Sequence, residues 1–114
     1  MTTPTPYVPD RGDLVWVSFN PQAGHEQAGR RPGLVLSPKS YTARSGLALI
    51  CPVTSHAKGY PYEVTLPGGL AVSGVVLADH VKSLDWRARS VVFADTAPAR
   101  VVDEVAQKLA TLLA

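Results

Sequence analysis

The sequence predicts a small, mainly β domain, an antiparallel barrel buttressed by a single C-terminal helix. Three observations carry this expectation. Five or six short β-prone runs follow one another with only turn residues between them. The spacers are too short for the crossover helices that a parallel sheet requires. Only the C-terminus carries apolar residues at a helical period. At 114 residues the chain is the length of one domain, read as residues 1–114 without an internal boundary.

Residues 1–9 (MTTPTPYVP) read as an extended, flexible lead-in, rich in Pro and Thr. Asp10-Arg11-Gly12-Asp13 supplies turn residues, and Leu14–Phe19 (LVWVSF) follows as the first strand. Both of its faces are apolar, which predicts a central strand with Trp16 in the core. Asn20–Arg31 (NPQAGHEQAGRR) is polar, holds two glycines and a proline, and has no apolar period, so it reads as a loop. Gly33–Ser37 is the second strand, closed by Pro38, and residues 39–46 (KSYTARSG) read as a turn. Leu47–Thr54 is a third, nearly continuous apolar strand. After the polar loop Ser55–Pro61 come strands at Tyr62–Leu66, Ser73–Ala78 and Arg89–Ala94, with Pro67-Gly68-Gly69 making a tight reversal. Asp79–Arg87 is a connection holding Lys82, Trp86 and Arg87.

Near the end, Val101, Val102, Val105, Ala106, Leu109, Leu112 and Leu113 recur at 3.6 residues opposite Asp103, Glu104, Gln107 and Lys108. Asp95 or Thr96 is the expected cap, Pro98 suits the first turn, and Glu104 to Lys108 is a favourable i,i+4 pair. The apolar stripe is expected to face the core, with a subunit contact as the alternative.

Composition excludes several classes. A hydrophobic fraction of 46% with 18% charged residues is globular rather than disordered. The net charge of +2 permits an anionic partner without demanding one. Cys51 is the single cysteine, so neither an intrachain disulfide nor a cysteine zinc cluster is possible; within its apolar run it reads as a small buried hydrophobe. The N-terminus lacks the basic and apolar regions of a secretory signal, and no apolar run reaches the ~20 residues of a membrane span. A cytoplasmic protein without a membrane contact is the expectation. Asp10 with Asp13, His25 with Glu26, and Asp79 with His80 match no metal-ligand spacing, and neither GxSxG nor a phosphate-binding glycine loop occurs. No cofactor is expected.

One segment stands out. Gly24–Pro32 (GHEQAGRRP) runs directly into a strand, and Pro32 fixes the backbone just after Arg31. A guanidinium anchored in this way suits bidentate contact with a phosphate, although a solvated arginine pair is the ordinary reading of such a dipeptide. Thr54 and Ser55 end the third strand with hydroxyls able to lie beside it. Lys39, Lys58, Lys82, Arg30, Arg87 and Arg89 would complete a track for a polyanion such as a nucleic acid if they shared that face, with Tyr60, Tyr62 and Trp86 available for stacking on bases.

At these residues the chain resembles the MazF/PemK family of toxin endoribonucleases. The resemblance rests on Gly12-Asp13-Leu14-Val15-Trp16-Val17, then Glu26-Gln27-Ala28-Gly29-Arg30-Arg31-Pro32, and Val35-Leu36-Ser37-Pro38. Pro52-Val53-Thr54, Lys58-Gly59-Tyr60-Pro61 and Asp79-His80-Val81-Lys82-Ser83 follow in order. Each piece is weak alone; their order and spacing make them specific.

The resemblance implies a small SH3-like barrel of the CcdB/MazF type, a homodimer, and cleavage of single-stranded RNA (mRNA) at a short sequence. It implies a cognate antitoxin with an acidic, flexible tail that occupies the RNA groove. By the same resemblance Arg31 and Thr54 are the catalytic pair. Glu26 belongs to the loop before the active arginine, and Asn20, Arg30, Lys58, Asp79, His80, Lys82 and Arg87 join it as substrate-binding candidates. The chain departs from the pattern at Ser18, where several relatives are acidic, and at His80, where some carry an amide; both bear on sequence preference.

The implied chemistry is attack by the substrate's own 2′-hydroxyl without a metal, leaving a 2′,3′-cyclic phosphate and a 5′-hydroxyl. Arg31 suits charge stabilisation on the phosphorane better than proton transfer, because a guanidinium gives up its proton too reluctantly to shuttle it. His25, His56 and His80 are rival proton carriers. Two other readings stand beside this one: a gyrase-poisoning toxin of the CcdB kind, and an RNA-binding barrel without catalysis.

Overall fold

The computed structural model describes residues 7–18 and 30–114. Its elements are β1 (Asp13–Ser18), β2 (Arg30–Val35), α1 (Lys39–Ser45), β3 (Leu47–Thr54), β4 (Glu63–Thr65) and β5 (Val75–Leu77). A 3-10 turn at Ala78–His80 follows, then β6 (Lys82–Asp85), β7 (Val92–Thr96) and α2 (Ala99–Thr111). The strands lie in the order β4-β5-β3-β2-β1-β7, with β6 also paired to β3, and every pairing is antiparallel.

Strand alternation explains why β1 and β3 are apolar on both faces. Leu14, Leu34, Cys51, Val53 and Val76 point into one core, which Val101, Val102 and Val105 of α2 cover. Val15, Val17, Val35, Ala48 and Ile50 point into a second core with Leu84 and Trp86. The sheet is therefore buried on both sides near its middle, and the expected central position of β1 holds, between β2 and β7. Residues Tyr7 to Pro9 already belong to the fold. Pro9 is buried, the Tyr7 ring meets Phe93 edge-on at 5.9 Å between centroids, and its hydroxyl donates to the Asp13 carboxylate.

The fold corrects the sequence reading in several places. Among the described residues the sheet does not close into a barrel, because β4 and β7 end the pairing path without meeting. Helix α2 instead lies over the core that closure would have enclosed, and Lys108 ties it to the β4 end through the carbonyl oxygens of Pro61 and Glu63. Residues 39–45 form a helix rather than a turn. Seven residues make only two turns and show no apolar period, and the helix is fixed through Thr42. The Thr42 hydroxyl shares a hydrogen bond with Ser37 Oγ at 2.8 Å, and its carbonyl accepts from Gly46 N–H and from Trp86 Nε1–H at 2.9 Å. The connection after Asp79 contains the unexpected strand β6, whose backbone pairs with Leu47–Ile50 although only Leu84 among its side chains is buried. The two tryptophans exchange their expected places: Trp16 is 37% exposed and Trp86 only 5%.

Helix α2 also begins differently from expectation. Pro98 holds the N-cap position without a side-chain cap. The expected i,i+4 pair is present, with Lys108 Nζ 3.4 Å from Glu104 Oε2. Asp95 serves another purpose: its carboxylate accepts the backbone N–H groups of Ala71 and Thr96, each at 2.8 Å. It thereby ties the loop after β4 to β7. These two bonds, Ala71 first, favour the ionised carboxylate and hold its pKa below the ordinary value of 3.8. The sign follows: this contribution to stability is complete above the unfolded-state pKa and fades as pH falls through the lower folded one. Denaturant midpoints measured from pH 5 down to pH 2 are expected to fall less steeply for Asp95→Asn than for the wild type, and equal slopes would remove this role.

Candidate active site

The site forms where β2 and β3 part. Leu36 N–H donates to Leu49 O at 2.8 Å, so alternate residues of the β2 strand line, 36, 34 and 32, direct their backbone polar groups at β3. At the third of these stands Pro32, which has no N–H. The ladder ends at Gly33↔Pro52, although β2 starts at Arg30 and β3 runs on to Thr54. Continuing the antiparallel count past that pair sets Arg31 opposite Thr54. A concavity of about 310 Å³ occupies the gap, lined by Arg31, Pro32, Val53, Thr54, Ser55, His56 and Ser73.

Beyond Thr54 lies a second concavity of about 340 Å³, lined by Thr54, His56, Lys58, Tyr60, Glu63, Leu77, Asp79 and His80. Thr54 and His56 line both, so the two form one cleft. Thr54 Oγ1 accepts the backbone N–H of His56 at 3.1 Å. The hydroxyl hydrogen is then left to donate, which is the role a phosphate oxygen requires.

Backbone constraints hold this arrangement. Gly74 has φ +124, and a Cβ there would sit 2.3 Å from the Thr54 carbonyl oxygen. Only glycine lets β5 approach the end of β3, where Thr54 pairs with Val75. The 55–61 loop is held from beneath by Glu63, whose carboxylate accepts the N–H of Lys58 and the N–H of Gly59, each at 3.0 Å. Gly59, at φ +79, turns both donors toward one side. Sequence reasoning missed Glu63 and Gly74; the available signal was a carboxylate four residues after the glycine of a Lys-Gly turn.

Of the candidates, Arg31, Thr54, Lys58, Asp79 and His80 come together on the cleft. His56 and Tyr60 join them, Tyr60 being 60% exposed. His80 Nε2 lies 3.8 Å from Asp79 Oδ1. Lys82, opposite Ile50 on β6, and Arg30, opposite Ser18 on β2, are exposed and do not line the cleft. Arg87 lies over the Trp86 ring, 4.6 Å from its centre, and is not among the residues lining the cleft. Trp86 itself is buried and cannot stack on a base, and the Tyr62 hydroxyl meets Thr111 instead. Asn20, His25 and Glu26 lie outside the described residues. Burial, then the charge of Asp79, pushes the Cys51 thiol up to about 12, so this thiol is no nucleophile at neutral pH. Among the described residues, no three His, Cys, Asp or Glu side chains converge to hold a metal ion.

Fold and site together define a small antiparallel β protein with an arginine- and hydroxyl-lined cleft at the open end of its sheet. The chain belongs to the PemK-like, MazF-like toxins of type II toxin–antitoxin systems, whose family pattern it matches over residues 10–113. It is 47% identical to the endoribonuclease toxin MazF of Escherichia coli K12 over 107 residues, 94% of this chain and 96% of that protein. The endoribonuclease PemK of Escherichia coli is 35% identical over 108 residues, 91% of this chain and 81% of that protein. A crystal structure of MazF from Deinococcus radiodurans superimposes with a TM-score of 0.87 at 64% identity, covering 95% of this chain and 98% of that one. The MazE–MazF complex from the same organism gives 0.85 at 57% identity, with coverage of 95% and 97%. The fold is thus of the CcdB/MazF type.

The glycine beneath Thr54 gives a direct test of how the cleft is held. Gly74→Ala is expected to cost about 2–4 kcal/mol, through strain and displacement of β5. Gly68→Ala, whose added methyl meets nothing within 4 Å, is the control and should stay within about 0.5 kcal/mol. Urea denaturation of the two variants measures the difference.

Proposed function

We propose that this chain is the endoribonuclease toxin of a toxin–antitoxin pair, cutting single-stranded RNA at a short recognition sequence without a metal ion and so arresting translation and growth in the cytoplasm. Family membership supports the class of activity. The single observation that carries the site assignment is the meeting of Arg31 and Thr54 on one concavity, with the Thr54 hydroxyl hydrogen left to donate.

The substrate's 2′-hydroxyl attacks the adjacent phosphorus, the P–O5′ bond breaks, and a 2′,3′-cyclic phosphate and a 5′-hydroxyl result. Charge builds on the non-bridging oxygens of the phosphorane. The Arg31 guanidinium stabilises it, and Thr54 donates a hydrogen bond to one of those oxygens. Lys58 and Tyr60 hold the neighbouring nucleotides along the cleft, with Asp79 and His80 on its far wall. Protons pass through water or a cleft imidazole; His56, lining both concavities, is the nearest candidate. Glu26 and Asn20 belong to the segment before Arg31 and are assigned to substrate binding by family resemblance. An antitoxin with an acidic tail is the proposed protein partner, its carboxylates taking the place of phosphates beside Arg31 and Lys58, and the toxin acts as a homodimer.

One RNA, assayed in EDTA with purified variants, tests the assignment. Arg31→Ala and Thr54→Ala are expected to lower kcat by ~10²–10³-fold, the usual loss for one transition-state donor. His56→Ala should lose less than about 10-fold when water carries the protons, against about 10²–10⁴-fold for an imidazole acting as the acid or base. Fragments from the wild type should carry a cyclic phosphate at the 3′ end. An inactive His56→Ala beside an active Arg31→Ala would reverse the roles, and activity abolished by chelation would remove the metal-free mechanism.

A further inference from the structure

We propose that the sheet face beside the cleft, formed by Trp16, Pro32 and Arg30, is a stacking platform for an unpaired base of the RNA; the inference rests on the ribonuclease reading above. In the β1–β2 ladder Trp16 is opposite Pro32 and Ser18 is opposite Arg30. Opposed residues on antiparallel strands share a face, with Cβ atoms about 4.5–5.5 Å apart. Pro32 also lines the Arg31 concavity, so the Trp16 ring continues the wall of the cleft outward. On its other side Trp16 pairs with Val92 of β7, which is 48% exposed.

The contrast between the two tryptophans is informative. Trp86 is buried with its indole N–H satisfied by the Thr42 carbonyl. Trp16 is 37% exposed, and its indole N–H has no partner among the described residues. A large ring held rigidly by a β-strand, wet on one side, offers a base a flat apolar surface with little ordering cost. Arg30 shares its face one pair further along the ladder, while Arg31, opposite Val17, projects to the other face at the strand end; among the described residues neither guanidinium has a carboxylate partner. An exposed aromatic beside an uncompensated cation, at the edge of a cleft lined by a second one, is the arrangement that single-stranded nucleic acid uses: stacking for bases, charge for phosphates. Because stacking does not read hydrogen bonds, the platform adds affinity without choosing the base.

Cleavage kinetics and tryptophan emission test this together. Trp16→Ala is expected to raise KM about 10-fold with kcat within about 2-fold, and Trp16→Phe to return KM within about 3-fold of the wild type. Emission of buried Trp86 reports whether Trp16→Ala has folded. A 2′-O-methyl oligoribonucleotide, which has no free 2′-hydroxyl to attack with, should quench wild-type emission saturably and leave the emission of Trp16→Ala unmoved. An unchanged KM in a folded Trp16→Ala, or no quenching by the oligonucleotide, overturns the platform. Quenching by an acidic peptide and not by the oligonucleotide assigns the face to a protein partner and also overturns it. A wild type that quenches but does not cleave rejects the ribonuclease reading while retaining the binding face.

Discussion

The structure depends on strand β3, which serves three neighbours with only eight residues. Along one edge it pairs with β2; along the other it pairs with β6 at Leu47–Ile50 and then with β5 at Val53 and Thr54. The change of partner falls between these pairs, at Cys51 and Pro52. Alternation from the Leu36–Leu49 bond turns the backbone of residue 52 toward this second edge, where proline offers no N–H. Pro32 removes the matching donor on the β2 side. Two prolines therefore set where β3 must exchange one partner and release another. Both events happen within a few residues of Thr54, which is why the cleft opens there.

That opening is kept from collapsing by groups with no part in the chemistry. Glu63 gathers the amides of Lys58 and Gly59, and Lys108 of α2 holds the carbonyl oxygens of Pro61 and Glu63. The 55–61 loop is thus tied to the helix through backbone atoms, leaving Lys58, Tyr60 and His56 to face the cleft. Gly74 lets β5 lie directly against the Thr54 carbonyl. Position is imposed on the functional side chains mainly through the main chain, an economical way to preorganise a site on a domain this small.

Much of this was legible in the residues, and the exceptions have physical reasons. Leu47–Thr54 and the C-terminal helix were clear because burial on a sheet or a helix stripe leaves a period in the sequence. Helix α1 was not, since its anchoring runs through Thr42, a polar residue buried by hydrogen bonds rather than by apolar contact. Strand β6 was hidden for a related reason: Lys82, Ser83 and Asp85 are exposed, and its pairing is a backbone property. Trp16 and Trp86 could not be sorted because aromatic residues look alike in a sequence, whereas what covers them is set by distant segments. The pairing of Arg31 with Thr54 came from family resemblance. Residue physics alone gave an anchored arginine and a nearby hydroxyl, and only the register across two strands brings them opposite one another. Closure of the sheet leaves no mark in the residues, because short strands at close spacing describe a barrel and a helix-covered open sheet equally well.

Cys51 lies under this cleft, on the hinge of β3, with its thiol donating to the Ala78 carbonyl and its pKa pushed up to about 12. At neutral pH such a thiol stays protonated. In the folded protein this thiol is therefore shielded from oxidants and thiol-alkylating reagents, and conditions that oxidise exposed thiols leave the central strand intact. The same burial turns the side chain into a reporter. Reagent reaches the sulfur only when β3 leaves its neighbours, so the rate of alkylation counts the openings of the very strand on which the cleft is built.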